Sequence, residues 1–321
     1  MSGALDSINV VALAGGVGGA KLAHGLALTG LGDRLSVVVN TGDDFTLYGL
    51  HISPDLDTVL YTLGGLANPG TGWGVVDDSL VTLEMMQVYG VDTWFMLGDK
   101  DLATHILRTE RLRNGDSLTA IMGDLARALG IEAHMLPMCD EPVPTKVKTP
   151  GGLLDFQEYF VRRRHSDDVY EVVFDGIDRA TVSPTVAKAI DGADLIVICP
   201  SNPFVSVDPI LAVPGMRDRI SASPAPVVAV SPIIGGQAVK GPAAQMLASL
   251  GHEVSAAGVA GYYRDLLDII IIDDVDRDLS REIEKLGIQA AITNTLMKSD
   301  EDRRGLAAFT IQAGLQQRTT C

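Results

Sequence analysis

The chain has 321 residues, of which 46% are hydrophobic and 21% charged, as expected for a globular protein of about two domains and not for a disordered chain. Its 25 Lys and Arg against 41 Asp and Glu give a net charge of −16, which disfavours binding to nucleic acids and to anionic membranes. The one dense basic run, residues 162–165, is followed by Asp167 and Asp168, so we predict no nucleic-acid partner and no membrane partner.

The first predicted strand, residues 8–14, is a short apolar run that leads into a glycine-rich turn at residues 15–19. Residues 20–28 then have a helix-forming composition, so the sequence predicts strand, glycine turn and helix. A second predicted strand covers residues 35–39 and ends in the polar segment 40–44, Asn-Thr-Gly-Asp-Asp.

Four later apolar runs repeat this pattern of a strand that ends in a polar loop. They are residues 94–97, 195–199, 227–230 and 269–272. Continuous apolar strands that alternate with helices predict a parallel sheet that is covered on both faces.

Residues 109–183 differ, because segments 145–148, 153–161 and 169–174 look like strands with no helix between them. We therefore predict an α/β fold with a doubly wound, mostly parallel, Rossmann-like sheet and an inserted α+β subdomain. Residues 1–108 and 184–321 form the predicted core, and residues 109–183 form the predicted insertion. The tail from residue 312 to residue 321 is predicted to be frayed.

The glycine-rich turn is a candidate phosphate-binding site. Glycines let backbone amides approach a diphosphate, the following helix offers its positive N-terminal end, and a lysine adds a cation. The spacing matches neither the dinucleotide fingerprint nor the P-loop. The alternative is a tight turn that needs small residues for packing. The candidate ligand contacts are Gly15, Gly16, Gly18, Gly19 and Lys21.

Acidic residues follow the second strand and open the next predicted helix. Carboxylate oxygens that meet at one crevice are typical ligands of Mg²⁺. We predict Asp43, Asp44 and Asp57 as catalytic residues and as the metal ligands. For Asp55 the favoured interpretation is a helix cap.

Other polar loops at strand ends supply further predicted ligand contacts, because the ends of parallel strands meet at one crevice. Turn chemistry would also explain the 200–203 segment, Met96 could instead be a core residue, and His105 is interpreted as structural. The predicted contacts are Asn40, Thr41, Met96, Gly98, Asp99, Lys100, Ser201 and Asn202.

The three cysteines, Cys139, Cys199 and Cys321, form no metal-site spacing, and no secretory signal precedes the first strand. This usage predicts a reducing, cytoplasmic compartment. The longest apolar run, residues 266–272, is too short to cross a bilayer.

Four motifs in order resemble the 2-phospho-L-lactate transferase family. They are Gly-Gly-Val-Gly-Gly-Ala-Lys at 15–21, Asn-Thr-Gly-Asp-Asp at 40–44, Ser-Pro-Asp-Leu-Asp-Thr at 53–58 and Leu-Gly-Asp-Lys-Asp-Leu-Ala-Thr-His at 97–105. Segments 156–159, 200–203 and 231–235 continue the resemblance, which runs from residue 10 to about residue 315.

The resemblance implies transfer of a phospholactyl or phosphoenolpyruvyl group from a GDP-linked donor to the ribityl hydroxyl of the deazaflavin Fo. Such a reaction releases GMP in the presence of Mg²⁺ and belongs to coenzyme F-420 biosynthesis. The resemblance also implies a homodimer. In-line phosphoryl transfer depends on positioning and charge neutralisation, so no protein nucleophile is required.

Two other functions remain open at this point. A regulatory protein of the gluconeogenesis-factor-like family, which binds nucleotide sugars, would share the glycine turn and the 40–44 loop but would need no deazaflavin pocket. A nicotinamide dehydrogenase is disfavoured by the glycine spacing. The identity of the donor acid depends on pocket contacts outside these motifs.

Overall fold

A parallel sheet of seven strands lies at the centre of the protein, in the order β14-β13-β10-β9-β1-β2-β5. The computed structural model describes residues 7–318. In chain order, the strands are Val10–Ala14 (β1), Leu35–Val39 (β2), Phe45–Leu47 (β3), Leu50–Ile52 (β4), His134–Pro137 (β5), Thr145–Thr149 (β6), Gly152–Asp155 (β7), Glu171–Phe174 (β8), Leu195–Ile198 (β9), Val227–Val230 (β10), Ile233–Ile234 (β11), Gln237–Ala238 (β12), Ile269–Ile272 (β13) and Gln289–Ile292 (β14).

Helices cover both faces of this sheet. In chain order they are Gly16–Ala27 (α1), Pro54–Leu63 (α2), Val81–Val88 (α3), Asp99–Arg113 (α4), Leu118–Ala128 (α5), Pro184–Asp191 (α6), Asp208–Ala212 (α7), Met216–Ala222 (α8), Ala243–Ser249 (α9), Ala256–Tyr262 (α10), Ser280–Glu284 (α11) and Asp300–Arg318 (α12). None of the helices in residues 7–318 has the length and apolar sequence that a bilayer crossing requires.

The strands are apolar throughout because both faces of the sheet are buried. Val11 and Leu13 of β1 point into one hydrophobic core, while Val10, Ala12 and Ala14 point into the other. Alternate residues of a strand face opposite sides, so each apolar run supplies two cores at once. The predicted α/β class and mostly parallel sheet are confirmed.

Three short antiparallel units stand beside the central sheet, and their strand orders are β3-β4, β11-β12 and β7-β6-β8. The third lies within the predicted insertion, 109–183. However, β5 also falls in that range and pairs with β2 in the central sheet. The separate sheet of the insertion therefore comprises residues 145–174, and the boundaries of the insertion remain a prediction.

Some predicted elements are wrong. Residues 94–97 form no strand, because their apolar side chains Phe95 and Leu97 pack into a small cluster with Leu83 and not into the sheet. Residues 158–161, part of the segment 153–161 that was predicted as strand, lie in a turn of π-helix, Glu158–Arg162. Residues 312–318, predicted as frayed, belong to helix α12, and residues 319–321 lie outside the described residues.

The crossing of α1 and α12 gives a test of the packing. A Cβ atom on Gly25 of α1 would lie 2.2 Å from the carbonyl oxygen of Arg303 in α12. We expect Gly25→Ala to lower the free energy of unfolding by about 1–3 kcal/mol, because backbone must move. Urea denaturation followed by circular dichroism measures this change.

The matched control is Gly123→Ala in α5, where a Cβ atom meets no heavy atom within 4 Å. It should raise the free energy of unfolding by about 0.5–1 kcal/mol, because alanine favours the helix. Equal effects of the two substitutions would contradict the role given to the α1–α12 crossing.

Candidate active site

The predicted polar loops meet at the point in the sheet where the order of the strands reverses. Strand β1 lies between β2 and β9, and a crevice forms beyond the carboxyl ends of such strands. Asn40, after β2, donates a hydrogen bond from Nδ2 to the carbonyl oxygen of Val205, 3.0 Å away, and Ser201, after β9, bonds to Gly15. The predicted convergence of these three loops is therefore present.

The glycine segment is mostly helix and not loop. Helix α1 begins at Gly16, which has a left-handed φ of +61°. A Cβ atom on Gly18 would lie 2.2 Å from the carbonyl oxygen of Pro200, and one on Gly19 would lie 2.6 Å from Ser201 Oγ. Close packing against the segment after β9 thus requires these glycines, and their contact with a phosphate stays a prediction.

Ser201 and Asn202 hold backbone in place. Ser201 Oγ accepts a hydrogen bond from the Gly15 amide at 3.2 Å and donates one to the Gly15 carbonyl oxygen at 2.8 Å. Asn202 Oδ1 accepts from the Phe204 amide at 3.0 Å. The turn-chemistry interpretation accounts for both side chains.

A group of carboxylates lies at the end of β2. Asn40 Nδ2 donates to Asp43 Oδ1 at 3.1 Å and to Asp55 Oδ2 at 2.9 Å, so one amide serves two acids. Asp44 Oδ2 accepts from Ser53 Oγ at 2.8 Å and lies 3.0 Å from His51 Nε2. We call Asp43, Asp44 and Asp55 the carboxylate cluster.

The cluster carries more negative charge than its surroundings neutralise. Burial raises the pKa of Asp43 well above its usual range, and repulsion from Asp55 adds to this shift. Burial also raises the pKa of Asp55 to about 6 and raises that of Asp44. Asp44 Oδ1 is buried without a hydrogen-bond partner among the described residues. These features indicate a site that can receive a cation.

Asp55, which was predicted to be a helix cap, belongs to this cluster. It lies in the first turn of α2, where its carboxylate accepts a hydrogen bond from the Gly16 amide. The sequence spacing could have shown that Asp55 and Asp57 face different sides of helix α2, because side chains two residues apart on a helix point in directions about 200° apart. Asp55 and Asp57 cannot both face the same loop.

Asp57 has a different partner. Its carboxylate is paired with the fully buried guanidinium group of Arg108, which donates from both terminal nitrogens, and His105 Nδ1 lies 3.5 Å from Asp57 Oδ2. The predicted solvent-facing metal ligand is thus a buried ion-pair partner on helix α2. Its charge is compensated by Arg108, but Asp57 also lies with Asp101 and His105 in a group whose potential ligand atoms are all within 4.8 Å of one another. The metal role predicted for Asp57 therefore stays a prediction, as do those of Asp43 and Asp44.

Side chains of the loop 96–100 form hydrogen bonds with neighbouring backbone groups. Asp99 accepts from the amides of Val81 and Thr82 at 3.0 Å, and these bonds, together with one from Ser79 Oγ, hold its pKa at about 2. Lys100 Nζ donates to the carbonyl oxygen of Val76 at 2.8 Å. Gly98 leaves no room for a Cβ atom beside Asp78.

Met96 is half exposed. The 96–100 loop is hydrogen-bonded to segment 76–82, and the ligand contacts predicted for it stay a prediction.

A cavity of about 690 Å³ opens beside the carboxylate cluster. Asp43, Asp44 and Thr41 line it from the β2 loop, and Lys146 and Gln157 line it from the insertion.

Aromatic side chains line one part of the cavity. The ring centroids of Trp94 and Phe45 lie 6.2 Å apart with the rings tilted by 40°, and the Arg162 guanidinium carbon lies 5.2 Å above the Trp94 ring. The cavity thus joins aromatic side chains to a group of acids. Trp94 was missed because residues 94–97 were predicted as a strand, and Phe45, directly after the 40–44 loop, was not predicted as a ligand contact.

Comparison with known proteins identifies the family of the chain. The family model for 2-phospho-L-lactate transferase CofD matches residues 10–309. The chain belongs to the 2-phospho-L-lactate transferase family. It is therefore a transferase, as the sequence resemblance predicted, and the family is confirmed over nearly the whole chain.

Relatives in this family carry two names. The chain is 41% identical over 304 residues to a 2-phospho-L-lactate transferase from Methanosarcina mazei, covering 95% of this chain and 100% of the relative. It is 42% identical over 318 residues to a phosphoenolpyruvate transferase from Kitasatospora aureofaciens, covering 97% and 99%.

A crystal structure of a UPF0052 family member from Bacillus halodurans shares the fold of this transferase. It has a TM-score of 0.67 at 15% identity and covers 95% of this chain and 99% of its own.

Substitutions of Asp57 and of Asp43 should change the free energy of unfolding differently. Asp57→Asn leaves the Arg108 charge buried and unpaired, so we expect it to lower the free energy of unfolding by about 3–5 kcal/mol. Asp43→Asn removes repulsion with Asp55 and should leave stability unchanged or increase it. Urea denaturation in metal-free buffer measures both, and equal losses would contradict the assignment.

Proposed function

We propose that this transferase moves a 2-phospho-L-lactyl or phosphoenolpyruvyl group from a GDP-linked donor to the ribityl hydroxyl of the deazaflavin Fo, in coenzyme F-420 biosynthesis. The hydroxyl oxygen attacks the phosphorus that carries the acid, the bond to the second phosphate breaks, and GMP leaves. The observation that carries the proposal is the cavity that Trp94 lines together with Asp43 and Asp44.

We propose the carboxylate cluster as the binding site of Mg²⁺. Asp43 and Asp55 share one amide, Asp44 Oδ1 has no hydrogen-bond partner among the described residues, and burial with mutual repulsion opposes their ionisation. Hard oxygen donors of this kind are those that Mg²⁺ prefers. We propose Asp43 and Asp44, with Asp55 beside them, as the residues that would hold it. Bound there, Mg²⁺ would neutralise charge on the phosphate oxygens.

The residues of the chain position both substrates. The planar deazaflavin would pack against Trp94 and Phe45, and its ribityl chain would extend toward Asp43. Lys146 and Gln157 of the insertion also line the cavity. Positioning and charge neutralisation suffice for this transfer.

The reaction itself is the test. The protein with Fo, MgCl₂ and each GDP-linked donor in turn should form GMP and the corresponding phosphodiester, detected by liquid chromatography and mass spectrometry. EDTA should stop product formation, and Asp43→Asn should lower the rate by at least about 100-fold through loss of charge neutralisation.

Comparing phospholactyl, phosphoenolpyruvyl and phosphoglyceryl donors identifies the acid. Binding of nucleotide without GMP release from any donor would favour the regulatory alternative and would overturn the proposed reaction.

The proposed setting is the reducing cytoplasm. Cys139 and Cys199 are buried free thiols, and burial raises the pKa of Cys139 to about 12. Neither thiol is therefore in a form that readily oxidises. Cys321 lies outside the described residues.

We also propose a homodimer that pairs the outer face of α3. Leu83 packs inward, whereas Val81, Met85, Val88 and Tyr89 point outward and are 63%, 48%, 76% and 75% exposed. A helix that is apolar on both sides is normally buried. The four side chains expose roughly 500 Å², so a two-fold pairing would bury about 1,000 Å² in total, where specific interfaces begin.

Light scattering on a size-exclusion column tests this surface. The wild-type chain should elute as a dimer, and Val88→Glu should elute as a monomer, because two buried carboxylates would face each other across the two-fold axis. Val275→Glu replaces a valine that is 69% exposed elsewhere and should remain dimeric. A monomeric wild type would exclude the homodimer.

A further inference from the structure

Thr145, the first residue of β6, lines the cavity beside the carboxylate cluster. The residue is only 2% exposed, and within residues 7–318 its Oγ1 has no hydrogen-bond partner. A buried hydroxyl without a partner lowers the stability of a fold, so such a group calls for an explanation in function. Thr145 was not among the ligand contacts predicted from the sequence.

The backbone of the insertion fixes the place of this side chain. The Thr145 amide donates to the Gly42 carbonyl oxygen at 2.7 Å, and β6 is the middle strand of its sheet, paired with β7 and with β8. Because a threonine is branched at Cβ, it also has few side-chain rotamers. These contacts favour a single position of the hydroxyl.

Gly42 leaves room for the hydroxyl. A Cβ atom on Gly42 would lie 2.5 Å from Thr145 Oγ1 and 2.9 Å from Asn40 Oδ1. Gly42 does not have a left-handed φ, so close approach and not backbone conformation explains the glycine. It lines the cavity between Thr41 and Asp43. The Thr145 hydroxyl therefore lies against the loop that carries the carboxylate cluster.

Few hydroxyl groups share these properties. In the described part of the chain five side-chain hydroxyls are buried without a hydrogen-bond partner, and two of them, those of Thr41 and Thr145, belong to residues that line the cavity. Thr41 is already a predicted ligand contact, and its hydroxyl lies close to the Cys139 thiol. Thr145 adds a second donor, which comes from the insertion.

We propose that the Thr145 hydroxyl donates a hydrogen bond to a phosphate oxygen of the group that is transferred. The inference rests on the proposed function, in which Asp43 and Asp44 would hold the metal beside this phosphate. Asp43 Oδ1 already accepts from Asn40. Asp44 Oδ2 already accepts from Ser53, so an anionic oxygen of the ligand is the acceptor that fits the unused hydroxyl.

A neutral donor suits this position. It contributes a hydrogen bond without a positive charge that would repel the metal, and a bond to an anionic oxygen is roughly twice as strong as one between neutral groups. Since the backbone of β6 orients the hydroxyl, little reorganisation is required as charge shifts among the phosphate oxygens during transfer. Thr145 would thus touch the reacting group and act as a catalytic residue.

Thr145→Val tests this role, because valine keeps the branched shape and removes the hydroxyl. We expect kcat for GMP release to fall about 10-fold to 100-fold, while KM for the GDP-linked donor rises only about threefold. Thr145→Ser keeps the hydroxyl and should retain most of the wild-type rate. Initial rates at saturating Fo and MgCl₂ measure these values.

Thr149→Val is the matched control on the same strand. Thr149 is 4% exposed, but its Oγ1 donates to the Gly152 carbonyl oxygen at 3.1 Å and accepts from the Gly151 amide at 3.2 Å. Thr149→Val should therefore lower the urea midpoint of unfolding and leave kcat unchanged. Thr145→Val should leave the midpoint unchanged or raise it, because no hydrogen bond is lost. Equal falls in the midpoint would assign a structural role to Thr145 and overturn the inference.

Binding of small phosphates gives a readout that does not depend on turnover. The full chain in MgCl₂ is titrated with phosphoenolpyruvate and with inorganic phosphate, and binding is followed by ³¹P NMR. Thr145→Val should raise the Kd of both about threefold, as for the loss of one hydrogen bond. A loss of affinity for phosphoenolpyruvate alone would place the hydroxyl at the carboxylate and overturn the phosphate assignment.

The outcomes separate this inference from the proposed function. If Thr145→Val equals the wild type in kcat and in phosphate affinity, the role of Thr145 is wrong and the transferase reaction stands. If the wild type binds both phosphates through Thr145 but releases no GMP from any donor, the phosphate contact stands and the proposed reaction is wrong. A wild type that neither binds these phosphates nor releases GMP would overturn both.

Discussion

The ion pair of Asp57 and Arg108 fixes the part of the molecule on which the site depends. Arg108 is fully buried, and besides Asp57 it donates to the carbonyl oxygen of His51 at 3.4 Å. It therefore ties α2, α4 and the β3–β4 hairpin together at one point. Two charges taken from water are tolerated only when they satisfy each other, so this junction has little freedom to rearrange. Phe45, which lines the cavity, stands on the same hairpin.

Helix α2 thus uses two acids in opposite ways. Asp57 is neutralised by Arg108 and stabilises the fold, whereas Asp55 faces Asp43 across a shared amide and is held against its own ionisation. The pKa of Asp55 is raised to about 6, so its ionised form weakens folding as the pH rises from about 4 toward 6. A cation bound at the cluster would favour the ionised carboxylates and so restore the lost stability. Metal affinity is therefore linked to the same electrostatic repulsion that lowers the stability of the fold.

Sequence patterns predicted the fold better than the site. Apolar runs located β1, β2, β9, β10 and β13, because parallel strands that are buried on both faces have continuous apolar sequences. They missed β5 and β14, the two edge strands, which are four residues long and begin with the polar residues His134 and Gln289. The acids of the site were recognised as a group, but the choice between Asp55 and Asp57 required the rotation of α2, and the Arg108 partner came from 51 residues away.

Hydrogen bonds join the insertion to the loop after β2, beside the carboxylate cluster. The Thr145 amide donates to the Gly42 carbonyl oxygen at 2.7 Å, and Gln157 Nε2 donates to the Asp43 carbonyl oxygen at 3.4 Å. A Cβ atom on Gly42 would lie 2.5 Å from Thr145 Oγ1, so the loop packs closely against strand β6. Packing and hydrogen bonds of this kind favour a carboxylate arrangement that is ordered without substrate, which lowers the free energy that binding must supply. A transferase that relies on positioning and on charge, with no covalent intermediate, needs such a preformed site.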